Sequence, residues 1–418
     1  GISRAETNSV DITRVLDRHG VEIARKSTVP DHETEIAAEL NFALDRCDVV
    51  LLTGGAGPTE DDRTIDAVSS ALGIPLVEDA DILSDIEAKF SLRSLKMPAV
   101  NRKQARIFAG HRALPNPRGT APGFHIIFKR GNHTRHVWIF PGVPWELEEM
   151  LETQLGAWLE KVSSASGTQH RTIKIVGLTE SAVEQSLRPF YERHPEQPVT
   201  LLAALGEVHL HLLTRGSADD GYSHLMALEG ELREIFGERI FGLDDETLES
   251  TVGRLLSARG ETLGTAESCT GGLLASRITD VSGSSAYFLG GVITYSFQAK
   301  LFLLGVDPAS IERHGEVSEE VARQMAEGAR RRFSTTYGVG ITGIAGPTGG
   351  TASKPVGTVH VAVSSLEETR HKQFLLAGSR ELIKRYSTQL ALDMLRMMMI
   401  PSKPDPGLSL SSSASRSE

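Results

Sequence analysis

Apolar residues recur along this chain with two different periods, and an element ends wherever one period gives way to the other. From Thr7 to His19 the positions Val10, Ile12, Val15 and Leu16 follow a helical spacing that stops at Gly20. Val21–Ala24 then predicts a strand, Glu33–Leu44 a helix, and Asp48–Thr53 a buried strand that runs into a Gly-rich turn. Val137–Phe140 predicts another strand and Trp145–Leu159 the helix after it. The middle of the chain is sparser, with strands at Gln169–Val176 and Val208–Thr214 and a helix at Glu180–Tyr191. From about Leu248 the alternation returns. Strands are expected at Glu261–Ala266, Phe288–Tyr295, Tyr337–Thr342 and Gly357–Val363, and helices at Gly271–Thr279, Ala299–Leu304, Ser318–Phe333 and Glu381–Met398. Beyond Pro401 the chain is rich in Ser, Pro and Lys without apolar periodicity, which predicts a disordered tail.

Strands alternating with helices place helices over a parallel sheet, so the fold class is α/β. The expected division is an α/β domain over 1–165, a small α+β domain over 166–246, a second α/β domain over 247–400 and the tail at 401–418. Composition narrows the partners. The 44 basic and 54 acidic side chains leave a net charge of −10, which argues against a nucleic-acid surface. Two cysteines, Cys47 and Cys269, make no disulfide framework, so a reducing compartment is expected. No apolar run reaches the ~18 residues of a membrane span, and the first stretch is too charged for a signal peptide. These points predict a cytoplasmic protein that works on small molecules.

Three places in the last domain share a geometry, with a strand ending where small or hydroxylated residues begin. They are Thr265 to Gly272, Tyr295 with Lys300 in the next helix, and Ile341 to Gly350. In a parallel sheet the carboxyl ends of the strands face the ligand crevice, so these loops can converge. Their exposed N–H groups suit an anion such as phosphate; the candidates are Cys269, Thr270, Gly271, Gly272, Gly343 and Gly346. Ser268 is a candidate nucleophile if a base takes its proton, and Lys300 can serve in a Ser–Lys arrangement, with Tyr295 as relay or orienter. Such a lysine must give up its own proton, and Phe297 and Phe302 are expected as its apolar neighbours. Cys269 competes for the nucleophile's role, since a helix N-terminus lowers a thiol pKa. Each residue also has an ordinary use, as a helix cap, a solvated charge or a packed ring. In the first domain Gly54, Gly55, Gly57 and Thr59 form a comparable loop in which Asp61 and Asp62 could hold a divalent metal. Asn101, Arg102 and Lys103 are candidates to meet a pyrophosphate there.

The last domain resembles the CinA C-terminal domain family, the nicotinamide mononucleotide deamidases. The likeness runs through Ala266 to Gly272, Gly290-Gly291-Val292 with Tyr295 and Lys300, Gly315-Glu316-Val317-Ser318, Thr342 to Gly346, and Lys354 to Thr358. It implies Ser268 as nucleophile, Lys300 as base, Tyr295, Thr342 and Arg380 as site residues, no cofactor for that reaction, and a homodimer. Phe297 departs from the family, which carries Asn there, and a phenyl ring cannot replace an amide's hydrogen bonds. The first domain resembles the molybdopterin-binding-like domain that precedes the deamidase in full-length members. That likeness implies a three-layer αβα fold and a metal-dependent ADP-ribose pyrophosphatase. The family opens with a strand before the Thr-Asn pair, here Thr7-Asn8; this chain starts at Gly1-Ile2-Ser3, so that strand is expected to be missing.

Overall fold

The computed structural model describes residues 7–163, 168–215 and 218–400. The first helical pattern becomes α1 (Asn8–Arg18), and the second becomes α2 (Glu33–Leu44), whose Ile36, Leu40 and Leu44 form its buried stripe. There follow β1 (Val49–Thr53), α3 (Thr64–Leu72), β2 (Leu76–Glu78), α4 (Ala80–Leu92), β3 (Arg106–Phe108), β4 (Ala113–Leu114), β5 (Gly123–Arg130), β6 (His133–Phe140), α5 (Pro144–Met150) and α6 (Ala157–Ser163). The main sheet has the order β1-β6-β5-β4; β1 lies parallel to β6, and the other neighbours run antiparallel. One face buries Leu40, Leu44, Val68, Phe124, Ile126 and Val137 under α2 and α3. The other buries Ile12, Val15, Trp138, Phe140, Leu147 and Leu155 beside α1 and α5. This is a helix–sheet–helix sandwich.

Two expectations fail here. Val21–Ala24 is no strand: Glu22, Ile23 and Ala24 are exposed and no ladder forms, so β-branched content had no partner to act on. Trp145–Leu159 is not one α-helix, because a π-helical turn at Leu151–Gly156 separates α5 from α6. The expectations for Gly1-Ile2-Ser3 and for the tail at 401–418 lie outside the described residues.

The middle of the chain holds β7 (Thr168–Val176), α7 (Glu180–Ser186), α8 (Arg188–Arg193), β8 (Val199–Ala204), β9 (Glu207–Arg215), α9 (Ala218–Phe236) and β10 (Ile240–Leu243). The sheet order is β10-β7-β9-β8, four strands where two were expected. The last part comprises α10 (Leu248–Arg259), β11 (Leu263–Glu267), α11 (Leu273–Thr279), β12 (Phe288–Ile293), α12 (Phe297–Leu304), α13 (Pro308–His314), α14 (Glu319–Phe333), β13 (Tyr337–Gly343), β14 (Thr358–Ser364), β15 (Thr369–Leu375) and α15 (Arg380–Met399). Its sheet runs β12-β11-β13-β14-β15, with β11 parallel to both β12 and β13 and the last two strands antiparallel. The parallel trio reverses direction of growth at β11, and crevices open beyond strand carboxyl ends at such a point.

The chain divides into two compact units. One reaches His170 and takes in Leu213–Leu225; the other holds Arg171–Leu212 and continues from Met226 to the end of the described residues. In the second unit the core around α10 and α15 includes Val176 and Phe241 of the middle sheet beside Leu248, Val252 and Val361, and Thr251 Oγ1 donates to the Phe241 carbonyl at 3.0 Å. Each unit also carries a hydrogen-bonded histidine pair on antiparallel strands. His125 meets His136 at 3.0 Å in the first, and His360 meets His371 at 3.0 Å in the second.

Candidate functional site

Ser268 begins the turn after β11. Its N–H donates to the Ile341 carbonyl at 2.9 Å, which extends the β11–β13 ladder by one bond and sets Ser268 beside Thr342. Gly271 and Gly272 follow with φ of 65° and 95°, a left-handed stretch that glycine takes without strain. The chain is thereby turned straight into α11. The preceding residue, Glu267, is almost wholly buried and caps that helix: its carboxylate accepts from Gly272 N–H at 3.0 Å, Leu274 N–H at 3.0 Å and Ala275 N–H at 2.8 Å. This corrects the expected phosphate cradle, because the Gly272 amide already serves the chain's own carboxylate, and the Gly271 N–H goes to the Ser268 carbonyl at 3.2 Å. The N–H groups of Cys269 and Thr270 are taken neither by Glu267 nor by a backbone carbonyl of the described residues.

Lys300 lies in the first turns of α12, 1% exposed, and its Nζ donates to Glu316 Oε2 at 2.5 Å. The expected dyad is thus not closed by a hydrogen bond; the lysine is held by an acid 16 positions further on. Glu316 is 42% exposed and stands in a short loop that is itself pinned. Thr342 Oγ1 donates to its carbonyl at 2.9 Å, and Lys354 Nζ bridges the carbonyls of His314 and Val317, each at 2.6 Å. Glu316 and Lys354 stand in blocks that carried the resemblance, yet no role was read for either. An exposed acid in a turn has the look of a solvated charge, and only the fold brings it to a buried amine.

Tyr295 is not on Lys300. It is exposed, and its hydroxyl accepts from Arg380 Nη2 at 2.9 Å, while Arg380 Nη1 donates to the Gly346 carbonyl at 2.8 Å. Arg380 therefore ties the loop after β12 to the loop after β13. Gly343 gives close approach, since a Cβ there would come within 3.1 Å of the Cys269 sulfur. Burial pushes the Cys269 thiol up to about 12, with the charge of Glu267 adding to the rise and Arg380 and Lys384 opposing it. A thiolate is disfavoured there, against the expectation for a helix N-terminus. Phe297 packs beside Leu301 and Leu303 onto the cluster of Leu304, Val306 and Ile311, whereas Phe302 is 82% exposed and so lends Lys300 no apolar cover.

The candidate loop of the first unit is largely satisfied by itself. Thr59 Oγ1 donates to the carboxylates of Asp61 and Asp62, and Asp62 also accepts the Thr59 N–H at 2.9 Å. Hydrogen bonding from Thr59 holds the Asp61 carboxyl below the usual range. Lys103 Nζ staples the loop through the Thr59 and Asp62 carbonyls at 3.0 and 2.5 Å. Arg102, expected to meet a pyrophosphate, is instead bidentate to Glu78 at 2.6 Å for each bond. Asn101 is buried and donates to Gln104 at 2.9 Å. Gly54 has φ of 92°, and a Cβ on Gly55 would lie 2.2 Å from Thr64 Oγ1, so these glycines let the chain approach itself. The cavity bordered by Gly55, Gly57, Asp62 and Lys103 is about 10 Å³, room for no more than a water. Among the described residues no group of three or more His, Cys, Asp or Glu side chains is placed to hold a metal ion. Among them, too, no helix is long and apolar enough to cross a membrane.

Comparison with known proteins divides the chain into three segments. Residues 245–399 match the family described as CinA C-terminal domain, residues 3–162 the "Probable molybdopterin binding domain", and residues 170–242 the damage-inducible protein CinA KH domain. A CinA-like protein of Koribacter versatilis (strain Ellin345) is 41% identical over 398 residues, covering 95% of this chain and 96% of that one. A CinA-like protein of Solibacter usitatus (strain Ellin6076) is 39% identical over 396 residues, 94% of each. The crystal structure of the competence/damage inducible protein CihA from Agrobacterium tumefaciens is 38% identical, spans 36% of this chain and 93% of its own, and has a TM-score of 0.36.

Proposed function

This chain belongs to the CinA family, and on that premise we propose that its C-terminal domain hydrolyses the carboxamide of nicotinamide mononucleotide to nicotinate mononucleotide and ammonia. Ser268 Oγ attacks the carboxamide carbon, and the negative charge that develops on its oxygen meets the N–H groups of Cys269 and Thr270. The C–N bond breaks, ammonia leaves with the proton taken from Ser268, and water then attacks the acyl-serine to release the acid. Lys300 carries that proton. The observation that carries the reading is the pair of a 1% exposed lysine with Glu316, 2.5 Å from Nζ and 42% exposed. A lysine can receive a serine's proton only after passing on its own, and here a carboxylate open to water stands ready to take it. The buried, strongly disfavoured thiolate of Cys269 supports serine over cysteine.

Ammonia release from nicotinamide mononucleotide tests the reading. The whole chain is expected to release ammonia, Ser268→Ala to release none, and Cys269→Ala to keep most of the rate. A dead Cys269→Ala beside an active Ser268→Ala would overturn the assignment. Ammonia release is expected to persist with a chelator, whereas hydrolysis of a pyrophosphate by a metal site would stop.

A further inference from the structure

Beside the Ser268 turn, α11 and α15 border a cavity of about 820 Å³, a size that holds a mononucleotide. Four cations line it: Arg277, Arg380, Lys384 and Arg385. Arg277 is neutralised, with Glu249 at 2.7 Å and Gln389 at 2.7 Å. The others are not. Arg380 spends its guanidinium on two uncharged oxygens, and neither the Lys384 ammonium nor the Arg385 guanidinium has a hydrogen bond or ion pair among the described residues. Arg380 and Lys384 are four apart on one helix, hence neighbours on its surface, and like charges so placed repel unless an anion joins them.

Acids line the cavity too: Glu207, Glu249, Asp280 and Glu381. Lys384 and Arg380 lie against the proposed nucleophile's turn: a Cβ on Gly271 would be 3.8 Å from Lys384 Nζ, and Arg380 holds the loops after β12 and β13. Asp280, at the C-terminal cap of α11, lies at the opposite end of that helix, and Glu207, the first residue of β9 after the turn at Leu205-Gly206, is another acid of the wall. That turn is docked: Gln389 Nε2 donates to Glu207 at 3.0 Å, and a Cβ on Gly206 would meet Tyr386 and Gln389 at 3.2 Å.

We propose that Arg380 and Lys384 form a subsite for the phosphate monoester of the nucleotide whose amide reaches Ser268. This rests on the deamidase reading. It adds Lys384, which lies outside the motifs read in the sequence.

The test compares nicotinamide mononucleotide with its unphosphorylated riboside on the full chain. In Lys384→Ala the ratio of kcat/KM for the mononucleotide to that for the riboside is expected to fall about ten- to a hundredfold, as for a lost charge-assisted hydrogen bond. Lys384→Arg, which keeps the charge, is expected to restore most of the ratio. An equal loss on both substrates, or an unchanged ratio, would overturn the subsite. If the wild-type chain releases no ammonia from either substrate, the deamidase reading falls by itself, and titration with nicotinate mononucleotide decides the subsite. Binding weakened at least tenfold by Lys384→Ala keeps it, and binding indifferent to that substitution removes it.

Discussion

Lys300 shows how much a single side chain's meaning depends on its partner. Buried to 1% exposure and bonded to Glu316, it has a carboxylate within reach as a route for a proton. Lys300→Arg is therefore expected to be almost as inactive as Lys300→Ala in ammonia release, because a guanidinium cannot accept a proton at neutral pH. Glu316→Gln keeps the shape and one acceptor oxygen but cannot take a proton, so kcat is expected to drop more than tenfold while KM moves little. An unchanged kcat would reduce Glu316 to a structural tether. The positions of Ser268 after a strand and Lys300 in the next helix were legible because strand ends and helix starts can be read from local periodicity, whereas Arg380 came from the resemblance alone. Glu316 was not, since its partner lies in another helix and nothing in its own turn distinguishes it from a solvated acid. Tyr295 was expected to orient Lys300 and instead meets Arg380, because a spacing along the chain does not say which loop a hydroxyl will face.

At the scale of the element, α11 is organised by one carboxylate. Glu267 satisfies three amides at the start of a seven-residue helix, and a buried carboxylate with such partners is costly to remove. Glu267→Ala is expected to destabilise the second unit by roughly 3 kcal/mol, a fall in Tm of ~10 °C read by thermal denaturation. Glu267→Gln, with one acceptor oxygen in place of two, is expected to fall between it and the wild type. The same contrast between local and long-range causes explains which elements were legible. α2 was expected over Glu33–Leu44 and forms there, since Ile36, Leu40 and Leu44 repeat at the helical period. β8 and β10 were missed. β8 exposes four of its six residues, so its pattern resembles a polar loop, and β10 has only four residues. Val21–Ala24 erred the other way, as a strand-like composition with no neighbour to pair with.

For the whole molecule, the two histidine pairs set an acid limit on stability. Burial, followed by the neighbouring histidine, pushes His125 and His360 down to about 4, and burial also lowers His136 and His371. These groups fold in the neutral form, and an unfolded histidine protonates near ~6.5, so the unfolded state binds more protons below that value. Stability is thus fully present above about pH 6.5 and is lost as the pH falls toward 4. His360, only 6% exposed, accounts for about 2 kcal/mol of that loss at pH 5. Chemical denaturation at pH 7.5 and pH 5 is expected to show the loss, and His360→Gln should flatten the dependence; an equally steep profile in that variant would place the acid sensitivity elsewhere. The sequence expectation that 247–400 would stand as a domain meets a different limit. Val176 and Phe241 lie outside that span yet pack into its core, and two such side chains contribute about 4 kcal/mol together. A fragment of residues 247–400 is expected to melt below a fragment of residues 171–400, as circular dichroism would show.

The shared core has a consequence for heat capacity. Three family segments make up the chain, but the last two bury Val176, Phe241, Leu248 and Val361 in one cluster, so neither can lose its packing while the other keeps it. Scanning calorimetry of the intact chain should then record two endotherms, one for each unit, with the middle and C-terminal segments absorbing heat together. A recombinant that exchanged the C-terminal segment with a relative's would carry the join through the middle of a hydrophobic cluster. The workable crossover lies before β7, where middle sheet and C-terminal segment travel as a single inheritance.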